Sequence, residues 1–154
     1  VKYVNAVVGI KAILSVMGID CGPCRLPLQN LSASEIKSLE NDLNILASAI
    51  YGEGRGEPYT GQVAIGSVIL NRVESDQFPN TVSNVVYQSG AFDSVRDGQI
   101  NLTPNDTAYR AALDAINGWD PTDGALYFWN PSTATSKWIW SIPIKLQIGR
   151  HVFG

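Results

Sequence analysis

Apolar residues step by three and four from Ile36 through Leu39, Leu43, Leu46, Ala47 and Ile50, the spacing of one helix face. Ser32 followed by Glu35 is a capping-box signature, so a helix is predicted to open at Ser32. Continued by three residues, the same stripe reaches Glu53. Glycines 52, 54 and 56 predict that the helix stops there, with Glu57 in the turn beyond. Glu53 is thus expected on the buried side of the last helical turn. Upstream, residues 4–17 (VNAVVGIKAILSVM) read as an apolar helix ended by GIDCGP, and RLPLQNLS as an extended linker containing Pro27.

Downstream, Thr60 is the predicted cap of a second helix, with Val63, Ala64, Val68 and Val73 as apolar positions and an end near Ser75. NTVSNVVYQ reads as a short helix capped by Asn80 or Thr81. Residues 88–102 hold two glycines and few periodic apolar positions, and read as loop. Thr103, Pro104 and Asp106 supply a cap, a first-turn proline and a first-turn acid for a helix to Asn117, closed by Gly118. ALYFW, IPIKLQI and HVF then read as short strands, joined through NPSTATS and Gly149. Helices first and a small sheet last predict an α+β fold.

Composition narrows the function classes. The chain has 154 residues, 45% of them hydrophobic, enough for one ordinary core. Its net charge is −3, with no basic run, which argues against nucleic acid as the main partner. No apolar stretch reaches membrane-spanning length, because Lys11 and Asp20 interrupt the N-terminal one. The same segment makes a poor signal peptide, with no small-residue cleavage pattern after it. The chain opens on Val1 rather than Met, as expected of a processed product or an excised fragment, from which an export signal would already be gone. Cys21 and Cys24 form a lone CGPC; without a second pair, and with His151 the single histidine, turn residues or an incidental disulfide explain it better than a redox or zinc site.

The candidate chemistry starts at Glu53. A carboxyl on the apolar side of a helix end loses water, which raises its pKa toward that of a useful general acid. The bland alternative is that it snorkels out of a frayed end. The flanking glycines would let a substrate approach the backbone closely. Glu57 suits either an electrostatic cap for the next helix or a direct chemical role. Arg55 between them is a solvated loop cation or an ion-pair partner that orients one glutamate. All four tryptophans (119, 129, 138 and 140) fall near the C-terminus with Tyr127, Phe128 and Phe153, among Asn130, Ser132, Thr133, Thr135 and Ser136. Rings and hydroxyls together suit a groove for sugars, while alternation along LYFWN sends some rings to the core. Phe92 is a further groove candidate or a core anchor, and Tyr87 is expected to pack. His151 reads as structural, since no G-x-S-x-G elbow is present.

These stretches resemble a known family. ASAIYGEGRGEPYTGQVAIGSVILNRVESDQFPNTVSNVVYQSGAF, NLTPNDTAYRAALDAINGWDPTDGALYFWNP, TATSKWIW and IGRHVFG, in that order, look like the SleB/CwlJ cell-wall hydrolases, the spore-cortex-lytic enzymes. The resemblance runs from about Leu43 to Gly154. It implies a compact lysozyme-like catalytic domain that cuts the glycan strands of peptidoglycan; the sequence itself points to no cofactor and no metal, beyond loop carboxylates that could hold one weakly. The family's E-A-R-G-E motif falls on residues 53–57, and its first glutamate, the catalytic acid, carries over to Glu53. Arg55, Glu57, Phe92, Tyr127, Trp129 and Asn130 are the candidate substrate contacts. Gly54 stands where the motif has alanine, which would loosen the loop; Ala91 and Asp93 depart from a Q-x-x-Q-F-S pattern, and Ile142 from an expected arginine.

Two units are therefore expected, a helical segment over 1–42 and a catalytic domain over 43–154. VVGIKAILSVMGIDCGPCRLPLQNLSASEIKSLENDL in the first resembles the C-terminal helices of dihydrodipicolinate synthases, whose barrel and Schiff-base lysine strand are absent here. The implied reaction is cleavage of the MurNAc–GlcNAc β-1,4 bond by a lytic transglycosylase route in spore cortex or cell wall, by an exported protein acting at germination. A hydrolytic muramidase would need a second carboxylate from Asp93, Asp97 or Asp123. A non-catalytic glycan-binding module, or a partner-binding protein self-associating through its N-terminal helix, are the other classes.

Overall fold

A computed structural model describes residues 6–22 and 30–154, with side chains from Lys11 onward. Cys24 and Pro27 lie outside the described residues. The element that organises the rest is α2, Ala33–Gly54. It opens as its sequence predicts: the Ser32 hydroxyl accepts from the Glu35 amide, and the Glu35 carboxylate accepts from the Ser32 amide at 2.8 Å. Its stripe of Leu39, Leu43, Leu46, Ala47 and Ile50 is buried throughout. Around it lie α1 (Ala6–Val16), α3 (Tyr59–Glu74), α4 (Val82–Val86), α5 (Asp93–Arg96) and α6 (Asp106–Ile116). The division expected between residues 42 and 43 falls inside α2.

The main core joins α2 to α3, α4 and α6. Leu43, Leu46 and Ile50 meet Val63, Ile65 and Ile69 of α3, Val82, Val85 and Val86 of α4, and the alanines of α6. A smaller cluster sets Ala64 and Val68, on another side of α3, against Ala125 and Phe153 of the sheet region. Ala12 and Ile13 of α1 rest on Leu39. The sheet is antiparallel, in the order β1-β3-β2: β1 is Phe128–Trp129, β2 Leu146–Ile148 and β3 His151–Phe153. Phe128 opposes Phe153, and Ile148 opposes His151.

Several boundaries differ from the sequence expectations, each for a local reason. The strands are shorter than ALYFW and IPIKLQI suggest. The amides of Leu126 and Tyr127 both donate to the Gly154 carbonyl at 2.9 Å, just outside the ladder, and Pro143 has no amide to donate. The next helix starts at Tyr59 directly after Pro58, with no side-chain cap, so Thr60 lies inside it. Asn105 rather than Thr103 caps α6, because its side-chain Oδ1 accepts from the Ala108 amide at 2.9 Å. Residues 88–102 contain α5 and a 3-10 turn at Gln99–Asn101; Phe92 and Ile100 anchor them in the core, too few apolar residues to show a period. Tyr87 is exposed rather than packed.

The glycines of α2 are the largest departure. The helix does not stop at Gly52 but runs through Gly54, and the chain turns away only at Gly56, where φ is +89°. A Cβ on Gly52 would lie 2.5 Å from Ser94 Cβ, and one on Gly54 2.8 Å from Ile65 Cδ1. The glycines therefore admit α5 and α3 rather than a substrate, and Gly54 tightens packing instead of loosening a loop. Glycine costs a helix about 1 kcal/mol relative to alanine, whereas overpacking costs about 1–3 kcal/mol. Gly52→Ala is expected to destabilise the fold despite its better helix propensity, read as a lower urea midpoint at unchanged slope. A higher midpoint would mean that the Ser94 contact imposes no constraint.

Candidate active site

The stripe that α2 buries ends on Glu53, one residue before the helix stops. Its Oε1 accepts the Ser94 backbone amide at 2.7 Å, an orphan donor from the first turn of α5. Gly52 is what lets Ser94 come this close. Burial pushes the Glu53 carboxyl up from its ordinary pKa; the hydrogen bond from the Ser94 amide opposes this, while the charges of Asp93 and Asp97 add to it. The Ser94 hydroxyl is buried outside hydrogen-bonding geometry. No cation is paired with Glu53 among the described residues.

Glu53 lines a groove of about 850 Å³, a volume typical of ligand sites. Its walls come from separate segments. Residues 88–93 and Arg96 supply part of the lining, and β1 with Asn130 and residues 133–136 another part. Arg72 and Phe78 come from the end of α3 and just beyond, Tyr127 precedes β1, Trp138 follows the polar loop, and His151 comes from β3. Trp138 is 58% exposed and stands edge-on to Tyr127 at 5.2 Å. An exposed ring beside hydroxyls and amides is the arrangement a sugar ring needs, with an apolar face to stack and polar groups for its hydroxyls.

The predicted site residues separate into two sets. Glu53, Phe92, Tyr127, Trp129 and Asn130 line the groove; Arg55 and Glu57 do not. Phe92 and Trp129 are also core residues, and the Trp129 Nε1 is buried without a partner. Asn130 Oδ1 accepts from the Ser132 amide at 2.9 Å, which bends the polar loop. Arg55 is exposed, donates to Gln99 Oε1 at 3.1 Å and lies over the Tyr51 ring, orienting neither glutamate.

Glu57 has an environment opposite to that of Glu53. Its side chain is only 1% exposed. Oε1 accepts from Arg150 Nε at 2.6 Å and Oε2 from the Arg150 amide at 3.0 Å, so the carboxylate clamps the β2–β3 turn. That turn needs Gly149 at φ +58°, where a Cβ would collide with the same carboxylate. Burial raises the Glu57 pKa, but the two hydrogen bonds from Arg150 and the nearby His151 and Arg150 charges outweigh it and leave it below its ordinary value. His151, expected to be structural, also lines the groove; burial lowers its pKa, partly offset by Glu57, whose Oε1 is 3.7 Å from Nδ1.

Arg72 is the groove residue that the periodicity of α3 concealed. It occupies the last turn of α3, where a basic residue is ordinary. A cation at the end of a mainly apolar stretch, VAIGSVILNRV, is the one signal it left.

A family model described as cell wall hydrolase matches residues 56–154. The chain belongs to the cell wall hydrolase family. Among its relatives, the spore cortex-lytic enzyme of Bacillus cereus is 63% identical over 114 residues, 74% of this chain and 44% of that one. The spore cortex-lytic enzyme of Bacillus subtilis (strain 168) is 59% identical over 113 residues, 73% of this chain and 37% of that one. The chain thus spans less than half the length of these curated relatives. The catalytic domain of the germination-specific lytic transglycosylase SleB from Bacillus anthracis superposes with a TM-score of 0.71 at 63% identity, covering 74% of this chain and 93% of that one. The catalytic domain of the Bacillus cereus SleB protein gives 0.70 at 57% identity, covering 86% and 98%. This cell wall hydrolase therefore has the lysozyme-like α+β fold of those catalytic domains. None of its described helices is long and apolar enough to cross a membrane.

The Glu53 environment makes a stability prediction. Its folded pKa lies above its unfolded value, so folding favours the protonated form. The carboxyl carries no penalty below the unfolded value, and stability is lost as pH rises through the folded one. In this cell wall hydrolase, Glu53→Gln, which keeps an acceptor for Ser94, is expected to raise Tm at pH 7 and to give no gain below about pH 4. An equal or lower Tm at pH 7 would contradict a desolvated carboxyl.

Proposed function

We propose that this chain is the glycan-cleaving part of a spore-cortex-lytic enzyme, exported to act on the peptidoglycan of cortex or cell wall at germination. The observation that carries the reading is a single desolvated carboxyl, Glu53, with no cation beside it, in the wall of a groove lined by rings and hydroxyls. The names of the SleB relatives support the same reaction class. In this reading residues 1–42 are an appendage to the catalytic part, with Ala12 and Ile13 of α1 resting on Leu39. The exposed Met17 and Ile19 at its end are the surface through which two chains would pair.

Glu53 enters protonated and gives its proton to the oxygen of the β-1,4 bond between MurNAc and GlcNAc as C1 gains oxocarbenium character. The bond from C1 to that oxygen breaks, and the leaving sugar takes the proton as its new 4-hydroxyl. The C6 hydroxyl of the muramyl ring then closes on C1. Glu53, now a carboxylate held by the Ser94 amide, accepts the hydroxyl proton and returns to its starting state. The product is a 1,6-anhydro end, and no water enters. Tyr127 and Trp138 supply ring faces for the sugars, with Asn130, Thr135 and Ser136 within the same wall. Glu57 takes no part in proton transfer here and holds the β2–β3 turn.

A hydrolytic muramidase is the second reading, favoured by one feature: Asp93 also lines the groove. It is exposed and paired with Arg96 at 2.9 Å. Asp97 and Asp123 lie outside the groove lining. Digestion of purified cortex peptidoglycan, with products identified by mass spectrometry, separates the readings. The unaltered chain is expected to release anhydro-muramyl ends, and Glu53→Gln to be slower by at least about a hundredfold. Reducing muramic ends would replace the intramolecular route with hydrolysis. Glycan binding without fragment release would leave a binding module and end the enzyme reading.

A further inference from the structure

The groove holds a buried charged group that the cleavage reaction leaves unused. Arg72 is 7% exposed. Its Nε donates to the Leu126 carbonyl at 2.7 Å. Its guanidinium carbon lies 5.1 Å from the ring centres of Phe78 and Phe92 and 5.3 Å from that of Tyr127. A guanidinium carries five N–H donors. The four on the two Nη atoms make no hydrogen bond and no ion pair among the described residues. The groove's other arginine, Arg96, is exposed and already paired with Asp93.

A cation withdrawn from water without an anion is costly, and three ring faces offset only part of that cost. Burial pushes the Arg72 pKa down, opposed by the Tyr127 hydroxyl, yet a guanidinium stays charged at any working pH. The rings surround the guanidinium carbon, and the two Nη groups offer the fork that receives a carboxylate through two parallel hydrogen bonds. We propose that Arg72 is an anion-binding residue of the groove that takes a carboxylate carried by the muramyl side of the glycan, either on the lactyl group or on the stem peptide. This rests on the glycan-cleaving reading above. It makes Arg72 a specificity-determining residue rather than a participant in proton transfer.

The test measures binding in the Glu53→Gln background, so that cleavage does not intervene. Four soluble glycan strands serve as probes: stem-bearing strands, the same strands with carboxylates amidated, stem-free strands with free lactyl carboxylates, and their amides. Amidation is expected to weaken binding about tenfold or more, as loss of one charge-assisted pair does. The stem-bearing or the stem-free pair that shows this ratio identifies the carboxylate. Adding Arg72→Gln should abolish the ratio, and Arg72→Lys should keep part of it. Equal binding of carboxylate and amide by the Glu53→Gln chain overturns the proposal with no Arg72 variant needed. Arg72→Gln weakening all four strands equally also overturns it, since that is what a purely structural arginine would do. Cleavage of stem-bearing strands by the unaltered chain is scored separately. Its absence would end the enzyme reading, while a carboxylate preference dependent on Arg72 would still stand as a binding property.

Discussion

Everything in the site depends on carrying α2 through two glycines without letting it fray. A helix end that loses its packing exposes its last carbonyls and turns its side chains to solvent. Here Ser94 fills the space beside Gly52, a contact that the absent Cβ permits, and the end of the Ile65 side chain lies beside Gly54. The helix therefore reaches Gly54 as a rigid element, and Glu53 emerges at its end in a defined orientation, already hydrogen-bonded to α5. Removing either contact would leave the residue in place and its direction undefined.

The same geometry explains why two glutamates four residues apart behave as opposites. On an uninterrupted helix they would share one face. Gly56 turns the chain after the first, so the second points toward the β2–β3 turn instead. Glu57 finds two donors from Arg150 and is held ionised. Glu53 finds a single amide in a partly dry wall and is biased toward its acid form. The contrast comes from partners and solvent rather than from residue type, the pattern by which two carboxyls acquire separate tasks.

The groove is a product of late and distant sequence. Its floor and walls combine the end of α3, the short α5 region, β1 and the polar loop that follows it. Arg72 joins three of these segments by facing Phe78, Phe92 and Tyr127 while tying α3 to Leu126. A cation placed there fixes the relative position of rings that no single element carries, so the proposed anion site and the proposed sugar-stacking wall share the same contacts.

The chain's own pattern determined a good deal. The capping box at Ser32, the stripe to Ile50, the half-buried position of Glu53 and the closing turn at Gly118 are all local, and each is present. Periodicity over several turns is a strong signal because the core reads it residue by residue. What the sequence left open depends on approach between segments far apart in the chain. Gly52 reads as a helix stop until Ser94 packs against it, 42 residues away. Glu57 reads as a helix cap until Arg150 arrives from the far end of the chain. Arg72 reads as a helix-end cation until three rings enclose it. Those outcomes are decided by excluded volume and by partners for charge, and neither exists before the chain is folded.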